Sequence, residues 1–272
     1  MSENWSLGFI GAGVMAETML SGALGKGLLP KESIFASDPN KQRRDLLRQD
    51  YGVQTFEDNL EILQRSDLVV LGVKPQSLPR LLPTLKGAVP ESSQILSIVA
   101  GASIESLREA MGHPRVARAM PNLPCRIHCG TTVWTGAEGE DGDRIRSVLA
   151  CMGDAIEVDH EQHIDRATAV NGTGPAIIAE FVKAFMEAAT YIGEPRDLAR
   201  ASVLSTLKGT VEMIAQSDDH VAQVIDQVTS PGGTTSRALQ VLKKGRLAAV
   251  VTDSVDAAYQ RTLELGREVS NK

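Results

Sequence analysis

The segment Phe9-Ile10-Gly11-Ala12-Gly13-Val14-Met15-Ala16 constrains this chain more than any other, because it joins an apolar run from Trp5 to Ile10 directly to a helix-like stretch reaching Lys26. A strand that turns straight into a helix needs a residue that tolerates unusual backbone angles, and Gly11 supplies it. Gly13 has no Cβ to block a pyrophosphate, and small Ala16 lets helix and strand pack closely. The helix N-terminus then offers free N–H groups to phosphate oxygens. The pattern predicts the opening of a β-α-β unit carrying a dinucleotide site.

The rest of the first half repeats that rhythm. Short apolar runs at Leu7 to Ile10, Ser33 to Ala36, Leu68 to Val73, Gln94 to Val99, Arg115 to Met120 and Ala155 to Val158 alternate with amphipathic stretches, which predicts a parallel sheet flanked by helices. After about His160 the strand-like runs stop. Ala176, Ile177, Phe181, Val182, Phe185, Met186, Ala189 and Ile192 recur near a period of 3.6, so the second part is expected to be all-helical, with its first helix starting near Glu161 and a cleft between the two parts. The fold class is therefore α/β: an N-terminal Rossmann dinucleotide-binding domain over residues 1–159, followed by an all-helical domain over 160–272. The stretches Ala199 to Ala215 and Leu247 to Leu265 carry apolar residues on more than one face, which predicts a homodimer built through the helical domain.

Charge and composition narrow the function classes. The 28 Lys and Arg against 34 Asp and Glu give a formal net charge of −6, a field that repels nucleic acid and anionic lipid. No apolar run approaches the roughly 20 residues that span a bilayer, and Met1 to Trp5 lacks the basic start of a signal peptide, so a cytoplasmic location is expected. Cys125, Cys129 and Cys151 are too few and too unevenly placed for a disulfide framework or a four-ligand zinc site. His160 and His163 lack a third ligand nearby, so no metal is expected. No Gly-x-Ser-x-Gly elbow follows a strand, which disfavours a hydrolase.

The second strand runs into Ser37-Asp38-Pro39-Asn40-Lys41, where this architecture reads the adenosine ribose. Asp38 suits the free 2′-hydroxyl of NAD, whereas Ser37, Lys41, Arg43 and Arg44 suit a 2′-phosphate. The cluster outweighs the single acid, giving NADPH as the coenzyme with NADH as the alternative.

Further segments, read in order, carry a family resemblance: Asp58-Asn59, Val73-Lys74-Pro75-Gln76, Val99-Ala100-Gly101, Arg118-Ala119-Met120-Pro121-Asn122, and above all Asp226-Gln227-Val228-Thr229-Ser230-Pro231-Gly232-Gly233-Thr234-Thr235-Ser236-Arg237-Ala238-Leu239. Together with the opening glycine segment they resemble pyrroline-5-carboxylate reductase from the first strand to the last helix. The resemblance implies a Rossmann domain followed by a helical dimerisation domain, and hydride transfer from NAD(P)H to the C=N bond of a small cyclic imine. It implies that Ile10 and Gly11, Ala12, Gly13, Val14 and Met15 hold the pyrophosphate end, that Ser37 and Asn59 contact the adenosine side, and that Val73, Lys74, Pro75 and Ala100 contact the ribose and nicotinamide. Ser230, Gly232, Gly233, Thr234 and Thr235 would hold the substrate, with Ser230 and Thr235 nearest the chemistry. The implied assembly is a homodimer or a larger ring of dimers. Three positions depart from the family pattern: Leu123 stands where Thr is usual after Met-Pro-Asn, and Asn171 and Ile177 replace the usual Ser and Tyr of a later motif.

The residues of the signature suggest how a substrate could be held. Two tandem glycines inside a helix would cost about 1 kcal/mol each, so a helix is expected to begin after them, from about Ser236, with Thr234 near its N-cap. Free backbone N–H groups flanked by the Ser230 and Thr235 hydroxyls would then converge on a carboxylate. No histidine or carboxylate stands beside the signature as a proton donor, but an imine collects a proton from solvent, so positioning is expected to dominate. Two rival readings remain open: a reductase of the same fold acting on another cyclic imine, and a dinucleotide-binding sensor without turnover.

Overall fold

The computed structural model describes residues 5–137 and 139–270. Among them β1 (Leu7–Ile10), α1 (Val14–Gly25), β2 (Ile34–Ser37), α2 (Lys41–Tyr51), β3 (Gln54–Phe56), α3 (Leu60–Leu63), β4 (Leu68–Leu71), α4 (Leu78–Leu85), β5 (Gln94–Ser97), α5 (Ile104–Met111) and β6 (Val116–Pro121) alternate strand and helix. Then come β7 (Gly130–Thr135), α6 (Gly139–Ala150) and β8 (Gly153–Glu157), followed by helices alone: α7 (Gln162–Ala167), α8 (Gly174–Tyr191), α9 (Arg196–Ala215), α10 (Val221–Gln227), α11 (Thr234–Lys244) and α12 (Leu247–Ser270).

The strands form one sheet in the order β3-β2-β1-β4-β5-β6-β7-β8. Pairing is parallel from β3 to β6, β7 runs antiparallel to β6, and β8 is parallel to β7. The sheet is thus mixed, a correction to the parallel sheet expected from the sequence. β3 and β7 have no counterpart in the sequence reading. β3 is a three-residue edge strand with an exposed end, and Gly130-Thr131-Thr132-Val133-Trp134-Thr135 is β-branched and aromatic without a continuous apolar run.

Successive strand residues point to opposite faces, and both faces are covered. Leu7, Phe9, Leu68, Val70 and Trp134 build the core on one side, while Ile10, Val69, Leu71 and Ile95 build it on the other. Burying β1 and β4 completely makes their tips a rigid platform. The chain leaves β1 to one side for β2 and β3, then crosses back to β4, so the β1 and β4 tips form the switch point where open α/β sheets bind ligands.

The chain divides into two compact units, the first running to Thr173 and resuming at Ala257, the second being Gly174–Asp256. The first unit therefore extends past residue 159. Arg118 on β6, almost fully buried, donates to Glu161 at 2.9 Å and to Asp165 on α7 at 2.8 Å. Glu161 also accepts the Ile104 N–H that opens α5. Beyond α7 a π-helical turn, Thr168–Gly172, is tied to the strands by Asn171. The second unit has few buried apolar residues of its own, Ala199, Val203 and Val224 among them, and leaves Ile178, Phe181, Phe185, Val211 and Val241 exposed.

Candidate active site

The two glycines of the opening loop differ in what requires them. Gly11 has φ +90°, and a Cβ there would approach Val73 Cγ1 to 2.8 Å and Gly72 C to 3.0 Å. Its N–H donates to Ser37 O at 2.9 Å, while Gly72 N–H donates to Ile10 O at 2.9 Å, so the loop is threaded between the β2 and β4 tips. Gly13 is the N-cap of α1 with φ −68° and ψ 179°, angles open to any residue, and a Cβ on it would meet nothing nearer than Gly72 O at 3.8 Å. The fold itself does not need glycine there, and its absent Cβ leaves the loop open to the close approach of another group. No side chain caps α1, whose first-turn N–H groups stay available for an anion.

Around the adenosine position the charged groups are already engaged. Asp38 accepts the Ala12 N–H at 3.0 Å with one oxygen and the Asn40 N–H at 2.8 Å with the other. Arg43 Nε donates to Ala12 O at 2.5 Å, and the same guanidinium pairs with Glu17 on α1. Tyr51 OH donates to Glu17 at 2.9 Å. Burial of that phenol, and then the Glu17 carboxylate beside it, push its pKa above the usual value. Arg44 donates to the Asp38 and Pro39 carbonyls and pairs with Glu57, and Lys41 pairs with Asp45. Ser37 is fully buried, its hydroxyl 2.8 Å from Asn59 Oδ1 and 3.3 Å from Phe9 O. Each of the three cations expected to favour a 2′-phosphate thus has a carboxylate partner.

The remaining coenzyme candidates line the same carboxyl edge of the sheet. Val73, Lys74 and Pro75 follow β4, with Lys74 exposed and Pro75 opening a 3-10 turn, and Ala100 follows β5 beside Gly101 at φ +79°. Ile10 and Ala12 are buried, Met15 is half-buried, and Val14 is exposed at the mouth of the loop. At the β6 tip, Asn171 Oδ1 accepts from Asn122 Nδ2 at 2.7 Å, while its own amide donates to Thr131 O at 2.9 Å and Met120 O at 3.2 Å. Asn122 Oδ1 accepts the Thr131 N–H at 3.0 Å. This amide network was not foreseen; the departure at position 171 was its trace in the sequence, since a serine is too short to span three partners.

The signature lies in the second unit. Thr229 closes α10 by bonding Ile225 O through its hydroxyl at 2.6 Å and Asp226 O through its N–H at 3.1 Å. Gly232 then takes φ +74°, and Gly233 N–H donates to Ser230 O at 3.1 Å. Gly233 is the N-cap of α11 and Thr234 its first residue, so the helix begins two positions before Ser236, with Thr234 next to the N-cap. Gly233 carries no side chain to cap the helix, and the first intrahelical bond is Arg237 N–H to Gly233 O at 3.2 Å. The N–H groups of Thr234, Thr235 and Ser236, and the hydroxyls of Ser230, Thr234 and Thr235, have no partner within the protein among the described residues. Thr235 is half-buried and Ser230 exposed. Six donors around one helix end suit a carboxylate or another small anion.

Comparison with known proteins bears on both units. Residues 161–265 match the family model described as pyrroline-5-carboxylate reductase dimerisation, and residues 6–101 match that described as NADP oxidoreductase, coenzyme F420-dependent. The chain is 35% identical to the pyrroline-5-carboxylate reductase of Synechocystis over 96% of its length and 98% of that protein. It is 34% identical to the one of Arabidopsis thaliana over 98% of the chain and 97% of the relative. Among solved structures it resembles Plasmodium falciparum pyrroline carboxylate reductase with NADP bound, with a TM-score of 0.87 and 30% identity over 98% of this chain and 100% of that one. The reductase of Coxiella burnetii superposes with a TM-score of 0.89 and 29% identity, covering 97% and 99% of the two chains.

Proposed function

The chain belongs to the pyrroline-5-carboxylate reductase family, and on that premise we propose that it reduces 1-pyrroline-5-carboxylate to L-proline with NADPH, the last step of proline biosynthesis, with NADH as the second coenzyme. The observation that carries the reading is the bare end of α11: a signature turn whose helical N–H groups and hydroxyls are left without internal partners, in a chain similar over its whole length to named reductases.

The residues present fit a dinucleotide. The space over Gly13 would be filled by any Cβ and the α1 N-terminus is uncapped, so Gly11 to Met15 hold the pyrophosphate: Gly13, Val14 and Met15 by backbone N–H groups, and Gly11 and Ala12, whose N–H groups bond Ser37 and Asp38, by shaping the loop. Ser37 and Asn59 serve the adenosine side, and Val73, Lys74, Pro75 and Ala100 the ribose and nicotinamide. A bound reduced nicotinamide supplies the hydride. Ser230, Gly232, Gly233, Thr234 and Thr235 take the substrate carboxylate, each charge-assisted hydrogen bond contributing about 1.5–3 kcal/mol. The Thr235 hydroxyl serves as hydrogen-bond partner of the ring nitrogen, and that nitrogen draws its proton from solvent. In this division of labour residues 1–159 bind the coenzyme, and residues 160–272 bind the substrate and join copies into a homodimer or a ring of dimers. No helix among the described residues is long and apolar enough to cross a membrane, and we assign the enzyme to the cytoplasm.

The Asn171 network favours one second reading, preference for a cyclic imine of another ring size, because it reshapes the β6 tip relative to the family pattern. A panel of five- and six-membered cyclic imino acids with NADPH separates the two. Proline formed fastest from the five-membered carboxylate supports the proposal; fastest turnover of another ring supports the second reading. Coenzyme binding with no oxidation on any member contradicts both and leaves a sensor.

A further inference from the structure

Sequence alone places three cations beside the coenzyme ribose, yet each has its own acid: Lys41 with Asp45, Arg43 with Glu17, Arg44 with Glu57. These pairs are unequal. The Asp45 and Glu57 side chains are 43% and 76% exposed, so water and salt screen them, whereas Glu17 is 24% exposed and Arg43 23%. Glu17 also comes from a different element, α1, and is anchored there by the Tyr51 hydroxyl.

Arg43 and Asp38 grip one residue of the phosphate loop from its two sides, Asp38 on the Ala12 N–H and Arg43 on the Ala12 carbonyl. Asp38 follows the β2 tip, where this architecture receives the substituent on the ribose 2′ carbon. A guanidinium has five N–H donors; Ala12 and Glu17 occupy two, and the others remain for a phosphate. Arg43 is therefore anchored on the phosphate loop and keeps donors to spare, but it is electrically offset by a poorly screened carboxylate.

We propose that Glu17 sets the coenzyme preference of this chain by neutralising Arg43 at the ribose end of the phosphate loop. With Glu17 ionised, a 2′-phosphate gains little over a 2′-hydroxyl, and the site admits both NADPH and NADH. With that charge removed, Arg43 meets the phosphate at full strength. Glu17 is a positioning residue acting through Arg43. The inference rests on the dinucleotide reading but not on the identity of the imine.

The test is direct binding of NADPH and of NADH to the full chain, without substrate, for the parent, Glu17→Gln, Glu17→Asp and Arg43→Gln. Glu17→Gln keeps the shape and loses the charge: its one carbonyl oxygen can still accept from Arg43, while its amide nitrogen would donate to the Tyr51 oxygen and reverse that bond. It is expected to raise the NADPH-to-NADH affinity ratio about fivefold or more at low salt, with the rise shrinking as salt is added. Glu17→Asp is expected to keep the ratio near that of the parent, and Arg43→Gln to lower it. A ratio unmoved or shifted toward NADH in Glu17→Gln, or a shift equal in Glu17→Asp, overturns the inference. An unchanged ratio in Arg43→Gln overturns it even if Glu17→Gln does not fold. A parent chain that binds neither coenzyme overturns the dinucleotide reading and this inference with it.

Discussion

Gly11 and Gly13 stand two positions apart and are constrained by different things, which makes them separable by experiment. Alanine at Gly11 must adopt φ +90° and crowd Val73, so Gly11→Ala is expected to destabilise the fold by about 2 kcal/mol in urea denaturation. A Cβ at Gly13 fits the extended backbone and meets nothing nearer than Gly72 O at 3.8 Å, so Gly13→Ala is expected to cost no more than about 1 kcal/mol, the loss of a favourable N-cap residue. Its coenzyme affinity should nevertheless fall by about tenfold to a hundredfold, the cost of overfilling a packed site. Thr235 separates binding from chemistry in a similar way. With no internal partner for its hydroxyl, Thr235→Ala is expected to lower turnover about tenfold to a hundredfold, one hydrogen bond's worth, while NADPH affinity stays within about twofold. Equal losses in both would remove Thr235 from the reaction.

Elements were legible in the sequence wherever a period governed them. The buried strands β1, β4 and β5 read as apolar runs, and α8, α9 and α12 appeared close to their observed places because their spacing holds over many residues. β7 was hidden because Gly130-Thr131-Thr132-Val133-Trp134-Thr135 shows neither a continuous apolar run nor a regular alternation, and because antiparallel pairing after a parallel run leaves no mark in periodicity. The glycine loop and the signature turn were readable since each demands particular residue types. What Asp38, Arg43 and Asn171 touch on other elements was not, because those partners lie 26 or more positions away and depend on how the strands are ordered. The same long-range packing governs His113, buried after α5 with its ring nitrogen 2.8 Å from Ser93 O. Burial lowers its pKa, so the folded protein resists a proton that the unfolded chain accepts near about pH 6.5. The stability is fully present above that pH and is lost as pH falls below it. Urea midpoints at about pH 7.5 and 5.5 should therefore differ more for the parent than for His113→Gln.

At the scale of the whole molecule, the second unit buries too little on its own account to be a free-standing helical bundle. Phe181 and Phe185 lie on one face of α8 with ring centroids 6.1 Å apart, both more than 40% exposed, beside exposed Ile178. Such a face is expected to be covered by another copy, in keeping with the dimerisation segment matched over 161–265. Phe181→Glu with Phe185→Glu is expected to shift the mass in light scattering to that of a monomer; an unchanged mass would move the interface elsewhere. The central claim is that a coenzyme laid over the strand tips delivers hydride to an imine carbon. The most direct measurement uses NADPH deuterated at the transferring position of nicotinamide C4, with 1-pyrroline-5-carboxylate as acceptor and the product read by mass and NMR. The account predicts deuterium on C5 of L-proline, one per coenzyme consumed. Deuterium retained in the coenzyme, or washed into water with no labelled proline, would contradict it.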